Sequence, residues 1–368
     1  MNLFREHVLS LPNLIETLTP KFEKEVDGLG LGDASTVPNQ IYLTGCGDSY
    51  FAAGAVRFAF ESIAGIPSEP QTAMQFSRYA IRNLTEKSRA LVIGISVSGG
   101  VSRTVEAILR ANRRQIPTLA ITSSAITPLG KIAGRVAATS VPDIPNAQGV
   151  VIPGARSFYA SMLMLVLIAR AIGAGDQEPS ELATQTQAAI RALPEQISRV
   201  IEHADTWARA AALETQSAGE FLICGSGPSF SVAQFCAAKI IEASGDSAGA
   251  QDIEEWAHLQ YFAKTAATPT MVITWPNGAD ASRAAEVITA MKTIGRHVIR
   301  FDFARVFDRN NPTPDEWISP FLSAIPGMLF AAHRSEIIGE PYFRSFGGGR
   351  SIEGGGGVSR IRTSEIIS

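Results

Sequence analysis

Apolar residues along the chain gather in short runs, separated by longer stretches in which they recur every three or four positions. Residues 40–45 (QIYLTG), 89–96 (RALVIGIS), 117–122 (PTLAIT) and 136–142 (VAATSVP) read as buried strands. Residues 50–65, residues 104–114 and the segment from about Ser157 read as helices. Strands alternating with helices predict a parallel sheet covered on both faces. Residues 178–216 are polar and rich in Gln and Ala, which predicts one or two linking helices. After them the alternation begins again.

The second series repeats the first. GCGDSY starts at Gly45 and GSGPSF at Gly225, while SRTVEAI starts at Ser102 and SRAAEVI at Ser282, so both pairs share an offset of 180 residues. Two matches at one spacing indicate duplicated architecture. Two α/β domains of similar fold are expected, residues 1–178 and 179–368. Open α/β sheets bind ligands at the carboxyl ends of their strands, where both glycine-rich turns fall.

Residues 95–104 (ISVSGGVSRT) end a strand on glycines and hydroxyls just before a helical pattern. Ser and Thr there either cap the helix or, with free N–H groups at its N-terminus, hold a phosphate. The repeat helps to decide. At the same offset the second copy has Pro276 for Ser96 and Gly278 for Ser98. Capping would be needed in both copies, so hydroxyls in one alone favour a single phosphate site per chain.

Composition narrows the function. The chain has 368 residues, is 45% hydrophobic and 18% charged, and carries a formal charge of -3. Its Lys and Arg are scattered, so no nucleic-acid footprint is evident. Cys46, Cys224 and Cys236 form neither a disulfide framework nor a zinc spacing, which suggests a reducing, cytoplasmic setting. Arg5, Glu6 and His7 stand where a signal peptide needs apolar residues, and residues 160–175, interrupted by Arg170, read as a buried helix rather than a membrane span.

In the second half, SVAQFCAAKIIEASG places Lys239 and Glu242 three apart on one helix face among Phe235, Cys236, Ile240 and Ile241. Charges in such a setting are paired or functional. Sixteen residues after Glu242 comes His258, within DIEEWAH.

GCGDSYFAAGAVRFAFESIAGIP, VIGISVSGGVSRTVEAILRA and the tandem layout resemble the sugar isomerase (SIS) domain family, including the isomerase half of the glucosamine-6-phosphate synthases, over residues 40–368. The resemblance implies two tandem flavodoxin-like SIS domains, each with a five-stranded parallel sheet. It further implies a phosphorylated sugar as ligand and a homodimer with shared active sites, with no metal or organic cofactor, nucleic acid or membrane as partner. Phosphate binding falls to Ser96, Val97, Ser98, Gly99, Val101 and Ser102, and sugar contacts to Cys46, Gly47, Asp48 and Ser49. Lys239, Glu242, Glu255 and His258 fall on the family's Lys, Glu, Glu and His. The glutamate there moves a proton between C1 and C2, and the histidine helps to open the ring.

Departures are informative. Asp48 replaces a family threonine, and Val97 and Val101 replace Gln and Thr. The chain begins at MNLF with no glutaminase domain ahead of it, so release of ammonia from glutamine is not expected. The tail GVSRIRTSEIIS keeps Arg360 and Ser364 but has Thr363 near the place of the family's imine-forming lysine. The glycine-dense stretch before it suits a lid. The expected activity is a phosphosugar isomerase or aminosugar-phosphate deaminase. A non-catalytic sugar-phosphate sensor and a fructosamine-6-phosphate deglycase are the alternatives.

Overall fold

A computed structural model describes residues 2–33, 37–144, 150–174, 181–344 and 364–367. The described residues divide into two compact units. One comprises Asn13–Asp143, Arg156–Leu193 and the described tail residues; the other comprises Met1–Pro12, Ile144–Ala155 and Pro194–Gly356. The division falls at Pro194 inside a helix, rather than at residue 178, where the sequence reading divides the chain.

In the first of these units, a five-stranded sheet is built from β1 (Gln40–Gly45), β2 (Ser68–Thr72), β3 (Ala90–Ile95), β4 (Thr118–Thr122) and β5 (Arg135–Ala138), in the order β2-β1-β3-β4-β5. All its pairings are parallel. Every residue of β3 is buried, as a central strand covered on both faces requires. Helix α1 (Leu3–Leu9) belongs to the other unit; here, after α2 (Leu11–Asp27), the connecting helices are α3 (Asp48–Ala59), α4 (Ala73–Arg78) and α5 (Ser102–Arg113), followed by α6 (Arg156–Ala174). Val92, Ile108, Phe76 and Leu129 pack one face of the sheet. Helix α6 has 19 residues and is apolar enough to cross a membrane by length and composition, yet most of it is buried within the protein.

The linking segment forms a single helix, α7 (Glu181–Glu214). The other unit then repeats the order with β6 (Glu220–Cys224), α8 (Pro228–Ser244), β7 (Ser247–Gln251), α9 (Ile253–His258), β8 (Thr270–Val272), α10 (Ala281–Thr293), β9 (Val298–Ile299) and α11 (Pro320–Ile338). Its parallel sheet runs β7-β6-β8-β9, the first four places of the first sheet. The expectation of five strands in each sheet is corrected here to four among the described residues. Beyond β9 the chain carries Pro312 and Pro314, which lack the N–H a ladder needs, and folds into short 3-10 turns instead.

The repeat reaches the backbone angles. Gly47, before α3, has φ 55° and ψ −130°, and Gly227, before α8, has φ 56° and ψ −131°. Both angles need glycine, so the shared GxG is a conformational requirement of each strand-to-helix turn.

Candidate functional site

In the five-stranded sheet the chain runs outward from β1 to β2, then crosses back to β3 on the other side of β1. The switch point therefore lies between the carboxyl ends of β1 and β3. Cys46–Ser49 leave β1 there, and Ser96–Ser102 leave β3.

The turn after β3 is shaped by its own backbone. Gly99 N–H donates to Ser96 O at 2.9 Å, Ser123 N–H to Val97 O at 3.0 Å, and Leu129 N–H to Gly99 O at 3.0 Å. Gly99 has φ +64°, and a Cβ there would lie 2.3 Å from Thr127 Cβ. Both the angle and the space exclude a side chain.

The serines do not cap α5. The N-cap is Val101, which makes no side-chain cap. Ser98 Oγ is exposed and accepts from Gly100 N–H at 3.4 Å. Ser96 Oγ, Thr44 Oγ1 and Thr104 Oγ1 are buried without a hydrogen-bond partner among the described residues. Thr44 lies on β1 opposite Gly94 of β3, Ser96 follows β3, and Thr104 is in the first turn of α5. The N–H groups of Ser98 and Val101 also donate to no group among the described residues. Buried hydroxyls left unpaired are costly, and beside a helix N-terminus they suit an anion.

Positive charge stands next to this turn. Glu106 on α5 is wholly buried and ion-paired with three arginines: Arg78, Arg103 and Arg110. One acid among three arginines leaves a local excess of two positive charges. Described tail residues sit against the same helix. Ser364 N–H donates to Ser102 Oγ at 3.0 Å, Arg103 donates to Ser364 Oγ at 3.1 Å, and Arg110 donates to Ile367 O at 2.9 Å. The sequence reading counted Thr104 among the hydroxyls of this turn but missed Thr44 and the arginine cluster. Arg103 and Glu106 were visible within the repeated SRTVEAI, but their partner Arg78 is 28 residues from Glu106. Arg360 and Thr363 lie outside the described residues.

Asp48 and Ser49 are half-buried in the first turn of α3, and Cys46 is exposed. Burial pushes the Cys224 and Cys236 thiols up to about 12, so neither is a nucleophile at neutral pH.

The equivalent turn of the four-stranded sheet is acidic. The Glu316 carboxylate accepts from Ala279 N–H at 3.3 and 3.2 Å, and so fills the loop that corresponds to the serine turn. Burial, then the charges of Glu316 and Asp252, push the Asp280 carboxyl up to about 6. Asp252 accepts from Ser226 Oγ at 2.7 Å and from the N–H of Glu254 at 2.8 Å. Anion binding is disfavoured there.

Lys239 and Glu242 lie on α8 of this unit. Lys239 is fully buried, stands 4.9 Å from the Phe235 ring centroid, and is ion-paired with Glu242, whose side chain is 22% exposed. His258 ends α9, is 65% exposed, and bonds Glu254 at 3.0 Å. Arg283 of α10 binds Glu254 at 2.5 Å and, with the bond from His258, holds that carboxyl below its usual range. The structure thus brings Lys239 and Glu242 together and pairs His258 with Glu254; Glu255 is exposed on the same short helix.

Residues 36–172 match the SIS domain family. The chain is 26% identical over 307 residues to the glutamine–fructose-6-phosphate aminotransferase (isomerizing) of Gloeobacter violaceus, covering 80% of this chain and 48% of that protein. It is 23% identical to the Lactiplantibacillus plantarum enzyme of the same name, covering 88% and 53%. The chain thus spans about half the length of these curated relatives. Among solved structures it resembles the C-terminal domain of glucosamine-fructose-6-phosphate aminotransferase from Francisella tularensis, with TM-score 0.74, 16% identity and coverage of 91% and 96%. It also resembles tagatose-6-phosphate ketose/aldose isomerase from Escherichia coli, with TM-score 0.66, 15% identity and coverage of 92% and 94%.

Proposed function

We propose that this chain, which carries a SIS domain over residues 36–172, is a phosphosugar isomerase or aminosugar-phosphate deaminase acting on a ketose or amino-sugar 6-phosphate. The observation that carries this reading is the set of buried, unpartnered hydroxyls of Thr44, Ser96 and Thr104 around the switch point of the first sheet. A sugar phosphate would be held by Ser96, Ser98 and the backbone from Val97 to Ser102, with the α5 dipole and the arginines around Glu106 favouring its charge. Cys46, Gly47, Asp48 and Ser49 would face the sugar.

Glu242 is the proposed acid/base. Its carboxylate would take a proton from C1 of the open-chain ketose, leaving an enediol, and return it to C2. Lys239 beside it would hold the carboxylate ionised before the first transfer, ready to accept the proton, and again after the second. His258 would assist ring opening, its ring oriented by Glu254. The chain would work as a homodimer in the cytoplasm, and the tail against α5 would cover the bound ligand.

The test incubates fructose 6-phosphate and glucosamine 6-phosphate with wild type, Glu242→Gln and Ser98→Ala. Turnover lost in the first variant, and KM raised in the second, support the reading. Equal turnover by wild type and Glu242→Gln removes that carboxylate from the chemistry.

A sensor is the second reading, favoured by the closed Lys239–Glu242 ion pair and the exposure of His258. Saturable binding of these sugar phosphates with no turnover would select it.

A further inference from the structure

We propose that the amino-terminal edge of the five-stranded sheet holds a second ligand site, which takes a small molecule with a phosphate or carboxylate on a flat apolar body. A cleft of about 430 Å³ opens where β3, β4 and β5 begin. Leu31, Leu91 and Ile172, all buried, give it an apolar floor, and the exposed Arg89, Gln115 and Arg135 a polar rim. That volume lies within the range of small-molecule sites. The strands put this cleft about 20 Å from the serine turn at their other end. It is therefore no extension of the sugar-phosphate site, and the inference stands independently of that function.

Charge indicates an anion. Arg89 and Arg135 are exposed; Arg89 donates to Val37 O at 3.2 Å, and the Arg135 side chain makes no hydrogen bond or ion pair among the described residues. Glu86 is the one acid in the described lining, so the cleft keeps a net positive charge. Two guanidinium groups over an apolar floor fit a phosphate or carboxylate at the rim and a ring below it.

Backbone strain falls in the same place. Five described non-glycine residues have positive φ, and two of them, Arg89 at 45° and Gln115 at 57°, line this cleft. Each stands between the end of a helical turn and a buried strand, where Gly or Asn would meet the angle more easily. A long side chain there costs about 1 kcal/mol. Both side chains so placed line the cleft.

The experiment uses the full chain carrying Ser96→Ala and Ser98→Ala, which silences the serine turn. Phenyl phosphate and benzoate are titrated by calorimetry, with phenol and inorganic phosphate as controls. One of the two aryl anions is expected to saturate below about 1 mM, and the tighter one identifies the acid group. Phenol should not bind, and inorganic phosphate should bind more weakly. Arg135→Ala and Arg89→Gly should each weaken binding about tenfold or more. Arg89→Gly should also keep or raise Tm, because glycine accepts the left-handed angle, so its loss of binding cannot be attributed to unfolding. Unchanged affinity in both arginine variants, or no saturation by either aryl anion, overturns the proposal.

Discussion

The Glu316 carboxylate sits on the backbone N–H of Ala279, at 3.2 Å for the closer oxygen. An acid of the protein thus occupies the loop whose counterpart in the first sheet offers Ser98, Gly99 and unpaired hydroxyls. The same chain thus fills this turn with an acid in one unit and, among the described residues, with no acid in the other.

One phosphate per chain is the expected stoichiometry. Calorimetry with fructose 6-phosphate should give one site, weakened about tenfold by Ser96→Ala and unaffected by Glu316→Gln. Two equivalent sites, or the reverse pattern in the variants, would contradict the assignment.

Gly99 has no substitute. Gly99→Ala adds a methyl 2.3 Å from Thr127 Cβ at φ +64°, and should destabilise by about 2–4 kcal/mol. Phosphate affinity should fall with it. A thermal melt within a degree of wild type would show that the turn is free to move.

Asp280 gives a pH dependence. Its folded carboxyl is raised to about 6, above the unfolded value, so folding favours its protonated form. The penalty is absent at low pH, grows as pH rises through the window between the unfolded value and about 6, and is complete above it. Allowing for solvent screening, Asp280→Asn should stabilise by about 1 kcal/mol at neutral pH and by little below about pH 4. Melting curves of both proteins between those limits provide the measurement.

Asp205 has the opposite sign. Arg5, its largest partner, and then His333 at 2.8 Å hold its carboxyl below the usual range. Its contribution is present above the unfolded value and is lost as pH falls through the lower folded one. Asp205→Asn should cost about 1–2 kcal/mol at pH 7 and almost nothing at strongly acid pH. A cost independent of pH would mean packing, not charge, is lost.

The buried lysine separates stability from chemistry. Lys239→Met removes a fully buried charge and leaves Glu242, 22% exposed, to solvent, so it should cost less than removing the acid. Glu242→Gln leaves Lys239 buried beside a weaker partner and should cost about 1–3 kcal/mol. If the pair serves catalysis, both variants lose turnover despite this difference in melting temperature.

Much of this was legible in the residues themselves. Strand runs such as VIGI and the 180-residue repeat fixed two parallel sheets, because burial on both faces demands uninterrupted apolar strands. The repeated GxG was legible as a repeat, and the structure gives its physical reason in the matching backbone angles of Gly47 and Gly227, which favour glycine. Ser96, Ser98 and Lys239 were picked out from spacing and neighbours. What tertiary structure alone decided concerns groups distant in sequence: Thr44 opposite Gly94, Arg78 on Glu106, Glu316 on Ala279, and Arg283 on Glu254. Local pattern records which face a residue presents. Whether its polar atom then meets a partner depends on where other strands and helices arrive, and that is set only when the chain closes.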